Sequence, residues 1–443
     1  MKYRAKFNED GRLNEPMIKD ALRYMRSRED FFEIMHRYYT GDNPEIQRSS
    51  RGVNRQPVII PYGRKIINTV TGYMFKSGYI GYSTENEDYK AFIDDVFYQN
   101  DEDELTSELG KNCSINGVAY ELHYLNADEN GSVSLRFTEV PVMEMLAIYG
   151  EELTSEGMKA AIRYYCVDDT RYVDIYYPDA VVSYRSTEAG NLSFIDEVPH
   201  EYGMVPVVEY INNEEQIGDF TPVIKLIDAY DILISDAVSE IEKLADAYLV
   251  LVNMSMSEDD ARNLKRKRIL ELAEGGKAEF LTKNISPELL KFMRDWIKEE
   301  IHSQSHIPDM SDDHFAGQQS GVAIRYKMND LENICSTKEI YFRKGLYRRL
   351  ELIDRVSGIL GADSGIAAEV QITFTRNIPM NYLEIAQIVQ HLRGNVSLQT
   401  LLEQVVPFVT SAQEEIDKLK EEEDVYGFDW EDTVDTGKDD SPE

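Results

Sequence analysis

Hydrophobic positions along the chain follow a helical period, then a strand period, then a helical period again. Between residues 15 and 40, Met17, Leu22, Met25, Phe32 and Met35 recur at helical spacing and so share one face. Gly41-Asp42-Asn43-Pro44 breaks that pattern, and PYGRKIINTVTGYMF predicts a second helix after Pro61. From about Gly117 to Tyr210 the pattern shortens to alternating runs: AYELHYL, the turn signal Asp128-Glu129-Asn130-Gly131, then SVSLRFTEV, AIRYYCV, TRYVDIYY and AVVSYRS. These runs predict an antiparallel β region rich in tyrosine.

Beyond the loop Asn212 to Gly218, residues 221 to 252 read as helix, with Val223, Ile227, Tyr230, Ile234, Val238, Ile241, Ala245 and Tyr248 on one stripe. Gly275-Gly276 and Asn284 bracket a short KAEFLT strand, and 257 to 274 reads as a separate helix, so the two make a small inserted unit. Ser286-Pro287-Glu288 is a helix start, serine as N-cap and proline in the first turn, for a helix running to Pro308. A polar loop follows to Gln319. From Ser320 a further helix carries Ile324, Met328, Leu331, Cys335, Phe342, Leu346, Leu350 and Ile353 toward Gly358, about forty residues without a proline. So long a helix suits a spine better than a compact enzyme. EVQITFTR, 369 to 376, predicts one isolated strand, and Asn381 to about Glu423 returns to helix. The acidic stretch from Glu414 to Glu443 is expected to be largely disordered. The fold class is α+β.

Charge narrows the picture. The 443 residues carry 81 Asp plus Glu against 47 Lys plus Arg, a formal net charge of −34, which opposes nonspecific attraction to nucleic acid. Any contact with DNA must be local or weak. Cys113, Cys166 and Cys335 stand far apart with no zinc spacing and read as core residues of a protein made in a reducing compartment. No signal peptide is evident and no apolar run approaches the ~18 residues of a membrane span, so the expectation is a cytosolic product with no membrane partner.

Motifs for chemistry are weak. Gly275-Gly276-Lys277-Ala278 lacks the leading glycine and the Ser/Thr of a phosphate loop, and Gly317-Gln318-Gln319-Ser320-Gly321 has the wrong spacing for a nucleophile elbow. His302, His306, Asp309, Asp312, Asp313 and His314 cluster in sequence but lack the glutamate base of a zinc helix, so they read as solvated polar residues at a turn. No metal, cofactor or catalytic residue is assigned. Arg262, Lys265, Arg266, Lys267 and Arg268 form one dense basic cluster inside the inserted unit, suited either to a solvated helix face or to a partner or phosphate contact. Asp228, Asp231, Glu242 and Asp246, with Ser235 and Ser239 between them, fall on one face of the 221 to 252 helix. If several copies ringed a channel, this stripe would line it with negative charge and keep DNA from sticking.

Particular stretches resemble the phage portal family, especially its branch from siphophages of Gram-positive hosts. They are GDFTPVIKLIDAYDILISDAVSEIEKLADAYLVL (218 to 251), HIPDMSDDHFAGQQSGVAIRYKMNDLENICSTKE (306 to 339) and ITFTRNIPMNYLEIAQIVQHLRGNVSLQTLLE (372 to 403), supported by YMFKSGYIGYS (73 to 83) and VPVVEYINN (205 to 213). The resemblance implies a ring of twelve subunits at one capsid vertex. It implies an α/β wing over 1 to 220 with the strand 366 to 379, stem helices 221 to 247 and 286 to 307, and a small α/β clip, 248 to 285. Residues 308 to 319 would be a tunnel loop carrying Asp309, Met310, Asp312, Asp313, His314 and Phe315, with 320 to 358 the long spine helix. Residues 380 to 425 would form a helical crown, and 426 to 443 an acidic disordered tail. Implied partners are the terminase large subunit, the major capsid and scaffolding proteins, a head-completion or adaptor protein, and double-stranded DNA passing without sequence specificity. The implied location is the capsid portal vertex of the virion, and the host cytoplasm during assembly. The competing readings are another multimeric capsid or scaffold component, and a metal-dependent nuclease or hydrolase resting only on the His302 to His314 cluster.

Overall fold

The computed structural model describes residues 2–50, 56–127, 131–152, 157–187, 191–245, 248–252, 277–281, 286–309, 321–376, 382–406, 409, 412 and 415–420. The chain divides into two compact units, one of residues 1–310 with 328–377, the other of 311–327 with 378–443.

The first unit opens with a short strand, β1 (Tyr3–Ala5), and a long helix, α1 (Glu15–Thr40). Asn14 caps α1 by accepting from the Met17 N–H, and Gly41 ends it in the left-handed region at φ 88, so the boundaries follow local chemistry. Helix α2 (Pro44–Ser49) leads through an extended segment, 56–60, into α3 (Tyr62–Met74) and β2 (Ile80–Ser83). Two helices that the hydrophobic pattern does not isolate follow, α4 (Glu87–Gln99) and α5 (Glu102–Asn116).

The tyrosine-rich region forms β3 (Val118–Ala127), β4 (Val133–Val140), β5 (Met145–Gly150), β6 (Met158–Val167), β7 (Thr170–Tyr176), β8 (Ala180–Ser186), β9 (Leu192–Pro199) and β10 (Val207–Ile211). A six-stranded sheet runs in the order β1-β5-β6-β7-β8-β9, antiparallel except for the β1–β5 pair. A three-stranded sheet has the order β10-β3-β4. One core joins Ile18, Leu22 and Met25 of α1 to Ile148, Ile162 and Val173; a second joins Phe32 to Tyr120, Val207, Tyr149 and Tyr176. Buried apolar residues of the large sheet thus belong to two clusters, which accounts for strands too apolar to alternate cleanly.

Helix α6 (Ile224–Ala245) follows a 3-10 turn at Thr221–Val223. It is shorter than the stripe from 221 to 252 suggests: β11 (Tyr248–Val252) is a strand paired antiparallel with β12 (Lys277–Leu281). An apolar run that short fits either period, and strand pairing decided it. Helix α7 (Pro287–Ser305), capped by Ser286, runs back along α6. The expected helix at 257 to 274 lies outside the described residues.

Helix α8 (Gly321–Ser357) forms where the apolar spacing predicts one long helix, and β13 (Gln371–Phe374) is not isolated, since it pairs antiparallel with β2. That strand therefore finds its partner within its own chain. The second unit holds α9 (Tyr382–Leu392), a left-handed turn at Gly394, and α10 (Leu398–Gln404), capped by Ser397. Of the acidic stretch from Glu414, expected to be disordered, residues 415–420 are helical, and the tail 426 to 443 lies outside the described residues. Of the cysteines, Cys113 and Cys335 are buried as expected, whereas Cys166 on β6 is exposed.

Candidate functional site

The acids expected to line a channel do not share one environment. Asp228 and Asp231 lie inside the chain, with relative exposures of 4% and 0%. Asp228 accepts a 2.5 Å hydrogen bond from the Tyr38 hydroxyl and lies 3.0 Å from Lys225 Nζ. Asp231 accepts from Asn43 Nδ2 at 2.9 Å and from the Ile60 backbone N–H at 3.0 Å. The expected acidic stripe is therefore corrected at these two positions: they face their own chain. Helical spacing fixes which residues share a face but not what covers it. Glu242 is exposed, and Asp246 lies outside the described residues.

The cover is the extended segment 56–60. Its alternate N–H groups, those of Gln56, Val58 and Ile60, donate to Ser239 Oγ at 3.0 Å, Ser235 Oγ at 2.9 Å and Asp231 Oδ1 at 3.0 Å. Ser235 Oγ also donates to the Val58 carbonyl at 3.2 Å. The match is geometric: four helical residues rise about 6 Å, close to the ~6.7 Å over which an extended chain presents every second N–H. Helix side chains thus stand where a neighbouring strand's carbonyls would. Pro57, which has no N–H, occupies an intervening position where none is needed. Burial pushes the Asp231 carboxyl above its usual range, while the Ile60 and Asn43 donors pull it back. Burial and Asp228 together push the Tyr38 hydroxyl far up, so it stays a donor.

Two cations of α8 are buried as well. Lys338 Nζ reaches Asp219 Oδ2 and Ser114 Oγ, each at 2.6 Å. Arg349 is fully buried, with Glu121 of β3 on Nε at 3.1 Å and on Nη2 at 2.5 Å, and with Glu102 of α5 on Nη1 at 2.5 Å. Burial works against the Glu121 charge, but Arg349 and the His123 hydrogen bond overcome it and hold its carboxyl down to about 2. His123 Nε2 lies 2.7 Å from Glu121 Oε1, and burial lowers the pKa of this imidazole. Gly345 fits the same seam: a Cβ there would lie 2.3 Å from Tyr210 Cδ1. The hydrophobic pattern passed over both cations, yet a signal was present. Residues 328, 331, 335, 338, 342, 345, 349, 352 and 356 alternate by three and four, so Lys338 and Arg349 interrupt one buried stripe.

Among the described residues of the His302 to His314 cluster, His302 and Asp309 are brought together, and two lysines accompany them. Asp309 lies 2.5 Å from Lys298 Nζ, 3.5 Å from Lys65 Nζ and 3.7 Å from His302 Nε2. His302 Nδ1 is 3.0 Å from the Ile307 carbonyl, and Lys65 Nζ is 3.3 Å from Nε2, so Nδ1–H donates and Nε2 accepts. Burial lowers the pKa of this imidazole too. Cations sit around this aspartate, and among the described residues no group of three His, Cys, Asp or Glu could hold a metal ion. His306 is exposed at the end of α7. Met310, Asp312, Asp313, His314 and Phe315 lie outside the described residues, as do Arg262, Lys265, Arg266, Lys267 and Arg268.

The outer face of α7 has the opposite character. Leu289, Phe292 and Trp296, spaced by three and four, are 59%, 63% and 45% exposed, and Ile241 of α6 is 68% exposed. Large apolar side chains clustered on one helix face in this way mark an interaction surface.

A family model for phage portal proteins of the SPP1 Gp6-like type matches residues 27–426. The chain belongs to that portal protein family. It is accordingly a structural component of a phage capsid vertex and not an enzyme, which sets aside the nuclease and scaffold readings. The portal protein of Bacillus phage SPP1 is 22% identical over 437 residues, 93% of this chain and 84% of that protein. The portal protein of Clostridium phage phiCD119 is 23% identical over 384 residues, 81% of this chain and 82% of that one. A solved chain from the neck of a native GTA particle computed with C12 symmetry aligns with a TM-score of 0.45 and 11% identity, covering 78% of this portal chain and 89% of that one.

Proposed function

We propose that twelve copies of this chain close into a ring at one capsid vertex, through which double-stranded DNA enters during packaging and leaves at ejection. The observation that carries the ring is the exposed apolar stripe of Leu289, Phe292 and Trp296, with Ile241 on the paired helix. A lone subunit leaves that area in water; a neighbour's stem would bury it. In this reading α6 and α7 are the stem, the β11–β12 unit is the base of the clip, residues 308 to 319 form the tunnel loop and residues 380 to 425 form the crown. The channel role first given to four acids then stays with Glu242 and Asp246. Asp309, held by Lys65 and Lys298, anchors the start of the tunnel loop. The ring has no chemistry of its own: a terminase ATPase supplies the energy, and Arg262, Lys265, Arg266, Lys267 and Arg268 offer the basic contact for terminase or DNA at the clip. Capsid, scaffolding and head-completion proteins dock on the outside.

Negative-stain images and native mass spectra of the purified protein test this reading. The expected result is a closed ring with a central hole, and monomer alone at every salt concentration would refute it.

A further inference from the structure

The large sheet has two edge strands, and they differ in charge. At one end β1 lies within Lys2-Tyr3-Arg4-Ala5-Lys6, whose three cations are exposed. At the other end β9 carries Asp196 and Glu197 among Phe194, Ile195 and Val198, which are 61%, 44% and 53% exposed. An edge strand offers unpaired N–H and C=O groups to another chain, and soluble proteins blunt such edges with charge, bulges and proline. β9 has these devices, including a register shift opposite Ser183/Tyr184 and Pro199 at its end. They do not account for three large apolar side chains left in water on one short strand.

We propose that the β1 edge of one copy seats against the β9 edge of the next, so that the wing sheets form a head-to-tail interface around the ring. The proposal rests on the ring reading above and adds where the wings meet. Charge selects the pairing: β1 against β1 sets cations together, β9 against β9 sets carboxylates together, and only β1 against β9 attracts. Two different patches at opposite ends of one sheet are what a heterologous contact needs, and such contacts close rings. Some of the charge is engaged at home, since Arg4 Nη1 donates to the Gly150 carbonyl at 2.7 Å and Glu197 meets Arg12 at 2.8 Å. Lys6 and Asp196 are therefore the better handles for a test.

The test is cross-linking in a Cys166→Ser background, which removes the exposed native thiol and keeps the buried Cys113 and Cys335. Lys6→Cys and Asp196→Cys are placed together in one chain and treated with a short bismaleimide. Within one chain the two edges are five strand spacings apart, about 24 Å, too far for that reagent to bridge. The expected result is a covalent ladder from the double variant, no ladder from either single variant, and covalent dimers only when the two single variants are co-expressed. Rings visible by native mass spectrometry that yield no ladder would overturn the wing contact and leave the ring reading standing. Cross-linked dimers from Asp196→Cys alone would also overturn it, because β9 would then meet its own kind. Absence of rings altogether would remove both.

Discussion

The α8 seam and the outer face of α7 handle polarity in opposite ways. In the seam, full charges are buried and each is answered: Arg349 by Glu121 and Glu102, Lys338 by Asp219. On α7, three large apolar side chains stand in water with nothing in the described chain to cover them. The difference teaches that the buried cations of the seam find their counter-charges within the chain, whereas the apolar area of α7 finds no cover among the described residues. Charges left over inside would unfold it, whereas apolar area left over outside is a reason to associate. Substitutions in the seam should therefore act on the subunit, and substitutions on α7 should act on the assembly.

The largest effect is expected from Arg349→Met, which leaves Glu121 and Glu102 buried without their cation. Breaking a buried pair in this way costs about 3–5 kcal/mol, read as a lower urea midpoint of the dissociated subunit. A loss below ~1 kcal/mol would mean the seam is not the electrostatic keystone described here.

Acid should come next. Glu121 titrates lower in the folded chain, at about 2, than its ordinary 4.5. Its contribution is thus present above about 4.5 and is lost as pH falls from there toward about 2. The neutral, buried His123 adds in the same direction, since its depressed pKa favours unfolding as acid protonates it. The shift corresponds to stabilisation on the order of 3 kcal/mol, and Glu121→Gln should flatten this limb of the stability–pH curve. Asp231 runs the other way: its raised pKa makes ionisation cost stability as pH rises past the ordinary aspartate range, and Asp231→Asn should remove that dependence.

A smaller loss is expected from Ser235→Ala, which strips the Val58 N–H of its acceptor and the Val58 carbonyl of a donor. The cost should be about 1–3 kcal/mol, with faster amide exchange at Val58 while α6 keeps its protection. Unchanged exchange there would show that the extended segment is held by something other than the serine ladder.

The smallest effect on subunit stability sharpens the contrast most. Phe292→Asp with Trp296→Asp touches only exposed positions and should change unfolding of the subunit by less than ~0.5 kcal/mol, while abolishing rings in negative stain. Normal rings from this variant would put the assembly surface elsewhere.

Much of the architecture was legible in one dimension. Gly41 ends α1, Ser286-Pro287 starts α7, and a long run of helically spaced apolar residues marks α8, because caps, breakers and periodicity act over a few residues. Local signals also separated the tyrosine-rich strands from the helices on either side, and the order of three stretches identified the family. Long-range pairing was not legible. EVQITFTR reads as a lone strand until β2 meets it, and the end of the 221 to 252 stripe reads as helix until β12 claims it. The same limit moved Asp228 and Asp231 from a supposed channel wall into the interior. Sequence placed them on one face of α6, but only the tertiary fold laid residues 56–60 across that face. A helix period specifies direction from an axis, and it carries no information about which distant segment supplies the donors. Whether an acid repels DNA or holds its own chain together is therefore decided by what packs against it.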